Sequence, residues 1–377
     1  MNPIRLKAIV RKEFYHLVRD YRSLYLAFAI PLLLIILFGY ALSLDVDSVK
    51  TVVADYDKTP LSREFVEKLD ASPYFDFVAG IDSSGQVADY LDTEKASVAI
   101  IVPPGFMKRL KADREAQLQV IIDGSDPVFA GAVRGYVNGS VEAYNSRLIA
   151  SFLNRQGLAP TNPPVDGRVR VWFNEDLESR NFIIPGMMAI IIMIVGAMLT
   201  ALVIAREFEG GTMETIKSLP VTAGELLLGK AIPYFFITLI NVLVAMLLGQ
   251  VLFGIALKGS FWLMLAGTSL FLVCALALGL LISTAAKSQL MANQAAVMIT
   301  YLPSLLLSNF VFPIINMPVV LQWFTYLVPA RYYIDLLAGV YLRNTGLDYL
   351  WPDMAVLGGM GVLMIVLNFI WLKKEGL

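Results

Sequence analysis

Residues 205–230 read AREFEGGTMETIKSLPVTAGELLLGK and separate two long apolar runs, Phe182–Ile204 and Ala231–Phe253. Arg206, Glu207, Glu209, Glu214, Lys217, Glu225 and Lys230 fall inside this stretch, while the flanking runs carry no charge. Gly210-Gly211 breaks the chain, Thr212 is placed to N-cap a short helix ending at Leu219, and Pro220 stops that helix. Thr222-x-x-Glu225 has the spacing of a capping box and starts the next helix. Two readings fit: a short helix between two membrane spans, on which a soluble partner can push, or a solvated loop.

Composition supports the membrane half of that reading. Hydrophobic residues make up 57% of the 377 and charged residues 16%, against roughly 45–50% and 25% in soluble domains. The excess is gathered into spans, so the chain reads as an α-helical integral membrane protein. A net charge of −1 leaves no footprint for nucleic acid. The one cysteine, Cys274, lies in an apolar run, which rules out an intrachain disulfide or a cysteine metal cluster. The one histidine, His16, cannot build a multi-histidine site and reads as an ordinary residue of the N-terminal helix. No metal site is expected.

Residues 1–23 read as an amphipathic interfacial helix. Leu6, Val10, Phe14, Leu17, Val18 and Tyr21 recur near helical spacing, with Arg5, Lys7, Arg11, Lys12, Arg19 and Arg22 interspersed. Those six basic residues precede the first span, Leu24–Leu44, and place this end in the cytoplasm. The span is longer than the roughly 7–15 residues of a signal-peptide core, and Pro31 within it is tolerated as a kink.

Residues 45–181 hold 36 of the 61 charged residues, 21 acidic and 15 basic, and read as a soluble domain outside the membrane. Strand-like runs at Lys50–Asp55, Phe75–Ala79, Ser97–Val102 and Leu118–Ile122 alternate with helix-like Ser62–Ala71, Ser84–Leu91 and Gly105–Arg114. That alternation predicts an α/β unit with a small sheet. Asp126-Pro127 matches an N-cap and N1 proline opening a long helix to about Arg155. Ala159–Asp166 reads as a linker, and Arg168–Phe173 as an edge strand leading back to the bilayer. Asp123-Gly124-Ser125-Asp126 could suggest a metal or catalytic loop, but a strand-to-helix turn with a cap accounts for every residue. Asn138-Gly139-Ser140 fits a glycosylation sequon, but falls on a predicted helix.

Five more spans complete six: Phe182–Ile204, Ala231–Phe253, Trp262–Ala285, Ala292–Phe312 and Met354–Leu372, each near the roughly twenty residues that cross a bilayer. Residues 373–377 form a cytoplasmic tail. Between the last two spans, residues 314–343 read as a pair of outer re-entrant helices, Pro318–Leu327 and Ala330–Leu342, broken by prolines. Pro313, Pro318, Arg331 and Asp335 are candidates for an outer gate there, although headgroup anchoring explains the charges equally well.

None of the span cores contains Asp, Glu, Lys or Arg, which argues against an ion-coupled carrier. The chain also lacks a G-x-x-x-x-G-K-[ST] loop, so it does not bind ATP in that way. A transporter with neither needs an external motor. Neutral polar groups in spans usually bond to neighbouring helices. The fifth span is the exception chosen here, with Asn293, Gln294, Ser308, Asn309, Phe310 and Phe312 as candidates for a path that suits amphipathic cargo.

Arg206-Glu207-x-Glu209-x-Gly211-Thr212-x-Glu214, followed by Leu219-Pro220 and Glu225-Leu226-Leu227-x-Gly229-Lys230, resembles the signature loop of ABC-2 type transporter permeases (type V exporter-like). The likeness extends to Asn181-Phe182-x-x-Pro185-Gly186, to Phe310-Val311-Phe312-Pro313-x-x-Asn316-Met317-Pro318 and to Pro329-Ala330-Arg331-Tyr332. It is to permeases of bacterial multidrug ABC exporters with a large extracytoplasmic domain. The resemblance implies that residues 205–230 contact a separate ATPase, with Arg206, Glu207, Glu209, Gly211, Thr212 and Glu214 forming or shaping that contact. It implies ATP-Mg on the partner and no cofactor on this chain, which is then not itself an enzyme. It further implies a second permease copy or a similar permease, a periplasmic adaptor, and an inner-membrane location with both termini cytoplasmic. Lipid, sodium or an envelope component are alternative cargoes. A membrane-anchored receptor or assembly platform, and a tethered external enzyme, are readings of other classes.

Overall fold

The computed structural model describes residues 2–41, 48–112, 114–125, 127–155, 173 and 178–376. In chain order the helices and strands are α1 (Pro3–Arg19), α2 (Tyr21–Ala41), β1 (Val49–Asp55), α3 (Pro60–Asp70), β2 (Phe75–Gly80), α4 (Ser84–Asp92), β3 (Val98–Val102), α5 (Phe106–Lys111), β4 (Gln119–Ile122) and α6 (Pro127–Arg155). They continue as α7 (Arg180–Glu209), α8 (Thr212–Ser218), α9 (Ala223–Phe253), α10 (Phe261–Ala286), α11 (Gln289–Leu306), α12 (Val319–Thr325), α13 (Pro329–Ala338) and α14 (Leu347–Lys374). The chain divides into two compact units, Leu44–Arg170 and the remainder.

The smaller unit carries a four-stranded sheet in the order β2-β1-β3-β4. β1 pairs in parallel with β2 and β3, and β4 closes the edge antiparallel to β3. β3 is buried along its whole length, as expected of an inner strand covered on both faces. Val49, Val53, Phe65, Phe75, Val98, Ile100, Phe106, Val133 and Tyr144 fill one side of the sheet, and Val52, Ala54, Val87, Ala99 and Ile101 the other. All four expected strands form here, and the expected helices form within a few residues. Ser125 N–H donates to the Asp123 carboxylate at 2.9 Å, the turn anticipated at that site. The Asp126 cap, the Ala159–Asp166 linker and the Arg168–Phe173 strand, apart from Phe173 itself, lie outside the described residues.

In the larger unit four helices, α7, α9, α10 and α14, are long and apolar enough to cross a membrane among the described residues. The first expected span corresponds to α2, whose apolar stretch Phe28–Tyr40 is shorter and includes Pro31. α7 is apolar all round and is the most enclosed of the four, whereas α14 leaves most of its surface open. The helices meet at small residues, which let backbones approach closely. Gly279 of α10 abuts Ala197 and Thr200 of α7, and Gly361 of α14 abuts Val273 and Cys274 of α10. Ala201 and Ala205 cluster with Ala292 and Ala296 of α11. Thr200 Oγ1 donates to the Leu276 carbonyl at 3.0 Å, and Ser283 Oγ accepts from the amides of Ile204 and Ala205.

Three boundaries differ from expectation. The fifth span was expected to reach Phe312, but α11 ends at Leu306. Pro303 removes one helical N–H, Asn309 is left-handed at φ 68°, and Pro313 follows, so the helix cannot run on. α14 begins at Leu347 rather than Met354, with Pro352 inside it. Finally, α7 continues to Glu209 rather than ending at Ile204, while α8 and the start of α9 form where the sequence placed them. Arg and Glu are good helix formers, so loss of apolar character does not end a helix.

Candidate functional site

The turn between α7 and α9 is built from backbone constraints outward. Gly210 N–H bonds to the Arg206 carbonyl at 2.9 Å and Gly211 N–H to the Phe208 carbonyl at 3.2 Å. Gly211 has φ +69°, a conformation open mainly to glycine. The reversal releases α8, which Met213, 2% exposed, anchors among Leu17, Val203, Ile204, Leu226 and Leu227. Gly211, and not Thr212, is the N-cap of α8. Thr212 Oγ1 instead donates to the Glu207 carboxylate, which closes the turn on itself. Leu219 ends α8, and the Thr222–Glu225 capping box opens α9 as its spacing predicts.

The acids of this turn have different tasks. Glu207 faces inward, with 12% of its side chain exposed; its Oε1 accepts from Lys230 Nζ at 2.8 Å and from Lys12 Nζ at 3.2 Å. Glu209 accepts from the Gln289 amide at 2.8 Å and from Gln289 Nε2 at 2.6 Å. It thereby satisfies a free N–H at the start of α11. Glu214 is exposed and has no hydrogen-bond or ion-pair partner among the described residues. Arg206 reaches Gln289 Oε1 at 3.4 Å, Asp20 at 3.5 Å and the His16 ring. Glu214, Thr215, Ser218, Leu219 and Pro220 form the open face of the turn.

Periodicity placed the helix α1 but did not reveal its partner: α1 packs across the start of α9. Ile9 sits over Gly229, where an added Cβ would come within 2.5 Å of it. The Asn2 amide donates to Glu225 Oε1 at 2.6 Å, and Arg5 donates to the Pro220 carbonyl. Glu13, the only acid in α1, is buried and bonded to Lys230 at 2.8 Å. A lone carboxylate four residues before buried Leu17, in an otherwise basic helix, was the available signal.

The outer candidates fall into two groups. Phe312, Pro313 and Pro318 line one cavity of about 570 Å³, together with Leu302, Leu306 and Met317. Phe310 turns the other way, stacking on Phe182 at 5.6 Å and covering Gly186. Two sequence motifs remote from each other therefore meet there. Ser308 is fully buried, and its hydroxyl has no partner among the described residues. Asn309 accepts from the Ile314 amide at 3.0 Å, shaping the turn after α11. Arg331 lies 4.2 Å over the Tyr326 ring and donates to Thr325, whereas Asp335 is exposed. Asn293 and Gln294 sit near the start of α11 and outside this cavity; Gln294 is exposed, while Asn293 Oδ1 is buried with no partner among the described residues.

The geometry describes long apolar helices carrying a braced turn with one free face. The family described as "ABC-2 family transporter protein" matches residues 22–370. "Probable multidrug ABC transporter permease YbhS" of Escherichia coli K12 is 36% identical over 99% of this chain and 98% of its own length. "Probable multidrug ABC transporter permease YbhR" of the same strain is 28% identical over 93% of each. "Inner membrane transport permease YhhJ" of that strain is 25% identical over 85% of this chain and 84% of its own. With the family matched over nearly its whole length and a braced turn on its membrane helices, this chain belongs to the ABC-2 transporter family as a multi-pass permease subunit.

Proposed function

We propose that the protein forms the transmembrane path of an exporter of amphipathic small molecules, driven by a separate ATPase that pushes on α8. The carrying observation is the mechanical arrangement of the turn. α8 is pinned from within by Met213 and from both flanks by Glu207 and the Thr222–Glu225 box, while Glu214 and Leu219 face outward. Force on that face passes directly into α7 and α9, whose ends meet at Lys230. The multidrug names of YbhS and YbhR and the apolar cavity beside Phe312 support drug-like cargo. On this reading the ATPase binds and hydrolyses ATP-Mg and this chain has no catalytic role.

The basic N-terminal helix and Lys373-Lys374 support cytoplasmic termini, with residues 45–181 on the opposite side as a docking surface for an adaptor. The name of YhhJ supports the inner membrane. Counting α2 and α11 with the four long helices makes six crossings. α11 supports pairing with a second permease, because its outward face carries Gln294 alongside Met298 and Leu302, and an amide facing lipid alone is costly.

The test is Glu214→Lys with Leu219→Glu in the intact complex. The purified permease should keep its melting temperature, while retention of the ATPase and cargo-stimulated hydrolysis both fall at least tenfold. Unchanged retention and stimulation would overturn the assignment of this face.

A further inference from the structure

We propose that a groove between α1 and the end of α7 binds the phosphate of an anionic phospholipid. The groove, of about 610 Å³, is lined by Lys12, Tyr15, His16, Arg19, Asp20 and Arg206. Four of these residues are spaced i, i+3, i+4, i+7 along α1 and so form one continuous stripe. Arg206 faces that stripe from α7, with its Nη1 3.2 Å from His16 Nδ1 and 3.4 Å from Nε2.

The charge balance favours an anion. Lys12, Arg19 and Arg206 bring three cations, and the lining holds one carboxylate, Asp20, 3.5 Å from Arg206 Nη2. Lys12 shares its charge with Glu207. Arg19 is exposed and has no hydrogen-bond or ion-pair partner among the described residues. Guanidinium groups match phosphate oxygens with paired donors.

Position selects a lipid as the source of the phosphate. The groove lies where α1 turns at Asp20 into apolar α2, so it sits at the edge of a membrane segment. On the neighbouring face of α1, Phe14 and Val18 are each 50% exposed, and Tyr21 at the start of α2 is 68% exposed. Acyl chains lying along Phe14 and Val18 would bring a headgroup past Tyr15 and into the groove. Basic and aromatic groups beside an apolar face are the usual chemistry of interfacial lipid contact.

The experiment is native mass spectrometry of the detergent-purified full-length chain, titrated with phosphatidylglycerol or phosphatidylcholine, with and without millimolar inorganic phosphate. Wild type should retain phosphatidylglycerol at least tenfold better than phosphatidylcholine, and inorganic phosphate should not displace it. Arg19→Gln, which breaks no hydrogen bond or ion pair among the described residues, should lower that preference at least fivefold at an unchanged melting temperature. Arg206→Gln should lower the preference likewise, with some loss of melting temperature because its bonds to Gln289 and Asp20 go, and Lys258→Gln, past the far end of α9 from the groove, should leave the preference intact. No preference in the wild type, or an unchanged preference in both groove variants, overturns the proposal. Displacement by inorganic phosphate would make this a free-anion site and overturn the lipid assignment.

Discussion

Lys230 and Glu13 stand 217 positions apart in sequence, yet Nζ and Oε1 meet at 2.8 Å with both side chains almost fully buried. The same ammonium holds Glu207 at 2.8 Å, and Glu207 in turn holds Lys12 at 3.2 Å. The charges therefore alternate along a run of two cations and two anions, with Glu13, Lys230 and Glu207 buried together and Lys12 at the exposed end. The chain joins α1, the end of α7 and the start of α9 into one body around α8.

Removing the central cation should be costly. Lys230→Met leaves Glu13 buried without its partner, and breaking one side of a buried pair costs about 3–5 kcal/mol. The purified protein should melt earlier, and α1 amides should lose protection in hydrogen exchange. Adding Glu13→Leu should recover much of the loss, since an apolar pair replaces the orphaned carboxylate. A double variant no more stable than Lys230→Met alone would show that Glu13 contributes nothing through this bond.

Much of this fold was legible in sequence. The long apolar runs became α7, α9, α10 and α14, and the four strands arose where alternation and turn residues placed them. Such signals are local: period and composition say which face is buried. They do not say what lies against it. Glu13 and Lys230 were both visible, but nothing in either neighbourhood encodes a partner more than two hundred residues away. Glu207 and Glu214 look alike in the motif, although the structure turns the first inward and leaves the second exposed. The end of α11 was overrun because Leu307, Phe310, Val311 and Phe312 keep the segment largely apolar after the helix has stopped, with only Ser308 and Asn309 between them.

Close approach of α7 and α10 depends on Gly279. A Cβ there would fall 2.1 Å from Thr200 Oγ1 and 2.3 Å from the Ala197 carbonyl oxygen, so one of the helices must move. Gly279→Ala should cost about 1–3 kcal/mol by overpacking. Gly359→Ala, where an added Cβ meets nothing within 4 Å, is the matched control. Unfolding of the two variants in mixed micelles compares them directly, and equal stability would refute a tight crossing.

In the smaller unit, Asp57 caps a helix to which it does not belong. Its carboxylate accepts from the amides of Gly105 at 2.7 Å and Met107 at 2.9 Å, and from Thr59 Oγ1 at 2.6 Å. Partial burial pushes its carboxyl up, but the bonds from Thr59, Met107, Gly105 and Phe106 together outweigh this and hold it below the ordinary 3.8. A folded value below the unfolded one gives stability that is complete above about pH 4 and lost as pH falls through the folded value. Asp57→Ala should therefore destabilise the unit by about 1–2 kcal/mol at neutral pH, the usual worth of such a cap. Asp57→Asn, with one acceptor oxygen in place of two, should keep only part of the cap and abolish its loss in acid. Hydrogen exchange of residues 106–111 between pH 7 and pH 3 reads both effects.

On the proposed function, the cavity beside Phe312 handles cargo apart from the turn that couples energy. Its walls come from the end of α11 and the turn before α12, namely Leu302, Leu306, Phe312 and Met317, and none of them touches the Lys230 network. Met317→Trp puts an indole into a space of about 570 Å³ and should lower export of an amphipathic dye severalfold, with basal ATP hydrolysis and complex assembly unchanged. Phe312→Ala should enlarge the space and shift preference toward bulkier dyes, because apolar pockets discriminate by fit at about 1–3 kcal/mol per group. A single cavity should move the two variants in opposite directions across a size series of dyes. If both lose all dyes equally, or neither changes, the cargo path runs elsewhere in the bundle.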